Sequence, residues 1–186
     1  MRIIAGEMRS RRLKAPEGMD TRPTADRVKE ALFSILGSKV YGARALDLYG
    51  GSGALALEAL SRGAESAVIV DVSPRACAVI QENLETLNCQ SRAMLLRMKD
   101  TAALTALEKR GDAFDLIFLD PPYRMSTGPV CQAILQAGLL KPEGTLIIEH
   151  SRETPPDIAP PLALLTRREY GVTGLSLYQF EKGDPQ

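Results

Sequence analysis

Two apolar periods alternate along this chain. From residue 24, Val28, Ala31, Leu32 and Ile35 recur at helical spacing, with Thr24 placed to cap the run and Gly37 to stop it. Short apolar runs then follow at ARALDLY (43–49), SAVIVD (66–71), RAMLLRM (92–98), FDLIFLD (114–120) and TLIIEH (145–150), each predicted as a strand. Helices are predicted between them: over 53–62 closed by Gly63, from Ser73–Pro74 to about Leu87, over 103–109 and over roughly 128–138. KPEG (141–144) reads as the turn before the fifth strand. Strands of this kind, alternating with helices, make a parallel sheet covered on both faces. The end differs, because 162–170 and 175–181 are joined by a turn at 171–174 with no helix between them. They predict an antiparallel hairpin at one sheet edge, reached through the proline-rich surface connection TPPDIAPP (154–161). The expectation is an α/β fold with a seven-stranded, mostly parallel sheet, a C-terminal antiparallel hairpin and helices on both faces.

Composition narrows the class without changing this picture. A chain of 186 residues that is 45% hydrophobic and 25% charged fits one well-buried domain. No apolar run approaches the roughly 18 residues that span a bilayer, and MRIIAGEMRSRRLK lacks the apolar core of a secretion signal. Cys77, Cys89 and Cys131 are widely spaced, which suits free thiols in a reducing cytoplasm and gives no basis for a zinc site. No metal, no membrane and a monomer are therefore expected. Charge is uneven. The net is zero, yet residues 1–29 carry more lysine and arginine than aspartate and glutamate. A basic extension over 1–23, ahead of a domain over 24–186, suits an anionic partner, since phosphate contacts supply much of nucleic-acid affinity. A solvated tail that binds nothing is the alternative.

Candidate chemistry begins in DLYGGSGALALEAL, at a strand-to-helix junction. Gly50, Gly51 and Gly53, with Ser52 among them, allow a sharp turn and close approach to a ligand. Gly51–Ala56 also fits the dinucleotide fingerprint, with Asp71 suitably placed downstream for a ribose. Three acids near successive strand ends shift the choice of cofactor. Asp47 lies where a cationic amino-acid moiety would sit, Asp71 can accept from ribose hydroxyls, and Asp100 can accept from an adenine amino group. That set suits S-adenosylmethionine, which carries a sulfonium and an ammonium. Val72 and Thr101, beside two of these acids, join the cofactor candidates. Simple helix capping by Asp71 and Asp100 is the competing explanation.

The fourth strand ends in Asp120-Pro121-Pro122-Tyr123. Both Asp120 and Pro121 precede a proline and are pushed towards extended geometry, and neither proline offers an N–H. The Asp120 carboxylate and the Pro121 carbonyl can then act as two rigid acceptors for an exocyclic amine, aiming its lone pair at a methyl donor. Tyr123 supplies a flat face for a base that has left its stack. A strand terminator with a buried tyrosine would explain one proline better than two. His150, the single histidine, reads as a polar strand end rather than a general base.

DPPY is an instance of the [D/N]-P-P-[Y/F/W] signature of amino-group methyltransferases, and the chain resembles the RsmD-type 16S rRNA guanine-N2 methyltransferases over nearly its whole length. The likeness runs through RIIAGEMRSRRLKAP, TRPTADRVKEALFSIL, LDLYGGSGALALEALSRGA, VDVSPRACAVIQENL, FDLIFLDPPY and YGVTGLSLYQF. The resemblance implies a Rossmann-like class I methyltransferase fold, S-adenosyl-L-methionine as methyl donor, and 16S rRNA or a small-subunit assembly intermediate as partner. It implies that Asp120 and Tyr123 line the target pocket and that Asp47, Gly51, Gly53, Asp71 and Asp100 surround the cofactor. Thr24 and Arg22 would lie near the methionine end or the substrate mouth, and Arg9, Arg11, Arg12 and Lys14 would grip rRNA. Arg27 and Arg124 join the substrate-binding candidates, although Arg27 could equally pair with Asp26 or Glu30 on the surface. Ser10 departs from the family, which more often has glycine between two basic residues there. An adenine-N6 DNA methyltransferase, a glutamine-amide methyltransferase, a nicotinamide-dependent oxidoreductase and a catalytically silent RNA-binding module are the alternatives.

Overall fold

The structure is a computed structural model that describes residues 1–16, 23–122, 125–156, 158 and 160–181, without the side chains of 23–25. Helix α1 (Pro23–Leu36) leads into β1 (Arg44–Asp47), α2 (Ala54–Ser61), β2 (Ser66–Asp71), α3 (Pro74–Leu87) and β3 (Ala93–Arg97). Then come α4 (Asp100–Lys109), β4 (Phe114–Leu119), α5 (Gly128–Gln136), β5 (Leu140–Ser151), β6 (Leu162–Tyr170) and β7 (Thr173–Phe180). The sheet order is β3-β2-β1-β4-β5-β7-β6, parallel through β5 and antiparallel across β7 and β6. This is the predicted Rossmann-like arrangement. Strand order reverses between β1 and β4, the place where open α/β sheets bind ligands at their carboxyl ends.

Local rules account for most boundaries. Ser73 caps α3, its hydroxyl accepting from the Ala76 N–H at 3.3 Å, with Pro74 at the first helical position. The apolar stripe of α1 buries Val28, Leu32 and Phe33 against one sheet face, and the Phe33 ring meets Phe118 with centroids 5.9 Å apart. Each such side chain contributes about 1.5–3 kcal/mol by leaving water. Val28, Leu32 and Phe33 share one core cluster with residues of α2 and α3, while Leu107 of α4 and Ile134 of α5 pack in another with Leu119 and Ile148.

KPEG departs from expectation. It is an irregularity inside β5 rather than a turn before it, because Leu140 already pairs with Phe114. Past that point Leu116 pairs with Thr145, so the β5 register against β4 slips by three residues, with Pro142 and Glu143 exposed. Proline withdraws one ladder donor there, and the strand bulges locally instead of stopping.

The basic N-terminal residues are bound into the body. Arg2 and Arg12 form an antiparallel bridge, and Ile3, Met8 and Leu13 are buried in the same cluster as α1–α3. The Glu58 carboxylate on α2 accepts from the backbone N–H groups of Ile4 at 2.8 Å and Ala5 at 3.0 Å. Asn83 on α3 accepts from the Lys14 N–H at 2.9 Å and donates to the Lys14 and Ser52 carbonyls. Gly6 sits at φ +87°, and a Cβ there would lie 1.8 Å from the Ser61 carbonyl oxygen. Ser10 adopts φ +67°, the left-handed region that glycine enters without strain.

Candidate active site

β1 is hydrogen-bonded on both sides and delivers Asp47 to the carboxyl edge of the sheet almost fully buried, at 1% exposure. Its Oδ2 accepts from the Ala56 N–H at a long 3.4 Å, and its Oδ1 has no partner. Burial, with the Asp120 and Asp71 charges nearby, pushes its pKa up to about 7. A buried acid oxygen without a donor costs free energy, which a ligand N–H or cation would recover.

The glycine loop turns directly after this acid. Gly50 N–H donates to the Val70 carbonyl, and Gly53, at φ +77°, caps α2 in a conformation that disfavours any side chain. Asp71 holds the loop, its Oδ2 accepting from Gly51 N–H and its Oδ1 from Ser73 N–H, each at 2.8 Å. Each oxygen keeps a second acceptor position. A cavity of about 640 Å³ opens beside the loop, walled by Gly51, Asp71, Val72, Asp100, Asp120, Pro121 and others. Val72 leaves 60% of its surface exposed there, an apolar ledge beside the acid. Asp100 opens α4 and is already engaged: Tyr49 donates its hydroxyl to Oδ2 at 2.7 Å, and the Thr101 N–H donates to Oδ1 at 2.7 Å. Thr101 itself is exposed and is absent from the linings of the cavities that the other cofactor candidates border, meeting them only through this N–H bond to Asp100.

A second cavity, of about 170 Å³, lies on the α1 side. It collects Asp47, Gly50, Gly51, Ser52 and Asp120 with Met1, Asp26 and Lys29. Asp120 therefore faces both cavities. Among the described residues no N–H or O–H donates to its carboxylate, and desolvation by the surrounding protein raises its pKa even though the side chain is open to the cavities. Pro121 is buried and Pro122 exposed. The Pro122 carbonyl accepts from the Met125 N–H at 2.8 Å, whereas the Pro121 carbonyl accepts no backbone hydrogen bond among the described residues. Tyr123, Arg124 and Arg22 lie outside the described residues, as does the Thr24 side chain.

Sequence reasoning missed two side chains. Glu149, the residue before His150 near the end of β5, stands beside Asp120, and burial plus the Asp120 charge raises its pKa. Tyr49 fixes Asp100. The signal for Glu149, an acid near a strand end, was present in TLIIEH but was eclipsed by the histidine. His150 is structural: buried, with Nδ1 2.7 Å from the Ser151 carbonyl and Nε2 2.9 Å from Ser176 Oγ, it has its pKa lowered by desolvation.

The basic candidates lie elsewhere. Arg9, Arg11, Arg12 and Lys14 are exposed on the N-terminal segment, where Arg11 donates to the Thr86 carbonyl at 2.5 Å and Lys14 pairs with Glu82. Arg27 is exposed on α1, next to Asp26 at the smaller cavity. The three cysteines are buried and free. Among the described residues no three His, Cys, Asp or Glu side chains group to hold a metal ion, and no helix is long and apolar enough to cross a membrane.

Known proteins resemble this chain in sequence and fold. A family model described as "Conserved hypothetical protein 95" matches residues 1–179. The chain is 33% identical over 183 residues to ribosomal RNA small subunit methyltransferase D of Escherichia coli (strain K12), covering 97% of this chain and 90% of that protein. It is 39% identical over 181 residues to YlbH, a candidate rRNA methyltransferase of Bacillus subtilis (strain 168), covering 96% and 98%. The solved structure of a candidate methyltransferase from Escherichia coli, yhhF, superposes with a TM-score of 0.86 at 32% identity over 97% of this chain and 98% of that one. With a family model matched over residues 1–179 and relatives above 30% identity along nearly the whole length, this chain belongs to the RsmD-type methyltransferase family.

Proposed function

We propose that this enzyme transfers a methyl group from S-adenosyl-L-methionine to the exocyclic N2 amino group of a guanine in 16S rRNA, free or in a small-subunit assembly intermediate, in the cytoplasm. The observation that carries the reading is the position of Asp120. Its undonated carboxylate borders the glycine-loop cavity on one side and the donor-free Pro121–Pro122 corner on the other.

The residues present fit the methyl donor. The orphaned Asp47 Oδ1 suits its ammonium, the remaining acceptor positions of Asp71 suit ribose hydroxyls, and Val72 with Asp100 suits an adenine. When bound, the donor supplies an electrophilic methyl carbon on a sulfonium. Everything else falls to the protein. The Asp120 carboxylate and the Pro121 carbonyl each accept one N–H of the amine, which draws its lone pair out of the ring and aims it. Acids on several sides favour the positive charge that the amine nitrogen gains during transfer. Tyr123 provides the stacking face, and Arg9, Arg11, Arg12 and Lys14 bind phosphates.

Labelled donor is offered with separate RNA, DNA and protein pools, and the product nucleoside is identified by mass spectrometry. N2-methylguanosine in small-subunit RNA is expected, and Asp120→Ala should abolish turnover while RNA still binds. Replacing Arg11 and Arg12 by alanine should do the reverse, weakening RNA binding and its salt dependence at constant donor affinity. Label found only in protein or DNA would end the reading.

A further inference from the structure

Glu149 lines all three cavities at the carboxyl edge, and no other described residue does. The third of these, about 380 Å³, lies beside Pro121 and Pro122 and is lined also by Ser126, Thr127, Ser151 and Thr154. Leu119 pairs with Ile148, so Asp120 and Glu149 are the next residues on two adjacent parallel strands. Such strands run about 4.8 Å apart. Leu119 and Ile148 pack into the α4–α5 side of the core, and strand alternation turns Asp120 and Glu149 to the opposite side, the one that Asp47 and α1 share. Among the described residues no donor reaches either carboxylate, and the Asp120 charge acts on Glu149 without a paired counter-charge from them.

We propose that Glu149 and Asp120 form a carboxylate pair holding one proton between them, and that Glu149 takes the proton the amine releases on methylation. This rests on the amine-methylation reading above. The amine lone pair forms the new N–C bond, and the C–S bond breaks with its electron pair retained by sulfur. The nitrogen is left positively charged and gives one N–H proton to the pair, whose single negative charge is thereby neutralised. From Glu149 the proton leaves to solvent through the serine- and threonine-lined cavity.

The surroundings support a shared proton. Facing the pair are Asp47 at the end of β1 with Tyr49 just past it, Met1 with its terminal ammonium, Asp26 and Lys29 of α1, Asp71 at the end of β2, and Lys99 with Asp100 at α4. His150 lies next to Glu149 on β5 but is occupied by Ser151 and Ser176. Lys29 is the one lysine or arginine that lines the α1-side cavity among the described residues, beside Met1 with its terminal ammonium, and the Lys29 ammonium is committed to the Arg2 carbonyl at 2.5 Å and to Glu58 at 3.3 Å. Lys99 is exposed at the far cavity. Two neighbouring acids to which no described side chain donates retain a proton that isolated carboxyls would lose.

Two measurements on the full chain test this. In carboxyl-carbon NMR of the protein alone, one glutamate should titrate above the ordinary carboxylate range. It should vanish in Glu149→Gln and move down in Asp120→Asn, which removes the like charge. In single-turnover methylation of small-subunit particles carrying unmodified rRNA, the wild-type rate should rise with pH as the doubly protonated pair loses its first proton and gains the single negative charge that accepts. Glu149→Gln should be at least tenfold slower with a flat profile, Glu149→Asp should keep the rising limb, and donor affinity by calorimetry should change less than threefold in both. A Glu149 that titrates in the ordinary range, or an Asp120→Asn variant that leaves it unmoved, overturns the pair. Wild-type pH dependence persisting in Glu149→Gln overturns the proton role alone. Wild-type enzyme that leaves guanine unmethylated overturns the methylation reading and the role with it.

Discussion

Two acids in this protein are equally hidden from water and are treated in opposite ways. Glu58, on α2, has 0% exposure, and Asp47, at the end of β1 and eleven residues earlier in sequence, has 1%. Glu58 is saturated with donors: the N–H groups of Ile4 and Ala5, the Arg62 guanidinium at 2.8 Å and the Lys29 ammonium at 3.3 Å. Asp47 has one long hydrogen bond and an orphaned oxygen. Burial is thus no guide to role. A buried acid whose donors all come from its own chain fastens that chain together, whereas one left short of donors at a cavity wall is set up for a ligand.

Breaking the saturated acid should have the largest effect. Glu58→Ala removes the anchor of the N-terminal segment and leaves Lys29, whose pKa is already lowered by desolvation, without its counter-charge. Losing one partner of a buried pair costs about 3–5 kcal/mol. Denaturant unfolding should show that loss, and limited proteolysis should show the first residues released.

Asp47→Asn should act the other way on stability. Its folded pKa of about 7 lies above the unfolded value near 3.9, so the stability contributed by the protonated form is present below about pH 4 and is lost as pH rises through 7. The variant cannot ionise, and its unfolding free energy from denaturant titrations should fall less than the wild type's over that window, by an amount on the order of a few kcal/mol at most. Donor binding by calorimetry should weaken tenfold or more. A variant that bound the donor normally would place Asp47 with Glu58 as a structural acid.

The smallest effect lies at Ser10. A non-glycine residue at φ +67° carries strain of about 1–2 kcal/mol, partly offset by the greater freedom glycine would have when unfolded. Ser10→Gly should therefore stabilise by roughly 0.5–1 kcal/mol, with activity unchanged. Destabilisation instead would show that the serine side chain supports the turn.

The glycine loop, the acids at the ends of β1 and β2, and DPPY were legible because each is a local pattern. Strand-end acids and paired prolines have meaning from their immediate neighbours and the strand they terminate. Glu58 was not legible: in GALALEAL it looks like one charge on an apolar helix, and its partners Ile4, Ala5 and Lys29 are far away in sequence. Tyr49 read as a strand residue until α4 brought Asp100 to its hydroxyl.

The sequence by itself determined the alternation of strands and helices, the closing hairpin and the chemistry at the end of β4, because hydrophobic period and backbone restriction act over a few residues. Only the tertiary structure decided which carboxylates meet. The KPEG irregularity shifts β5 by three residues against β4, and that shift sets Glu149 rather than Leu146 alongside Asp120. Register across a sheet is fixed by pairing between distant segments, so no inspection of either strand alone could have placed those two acids together.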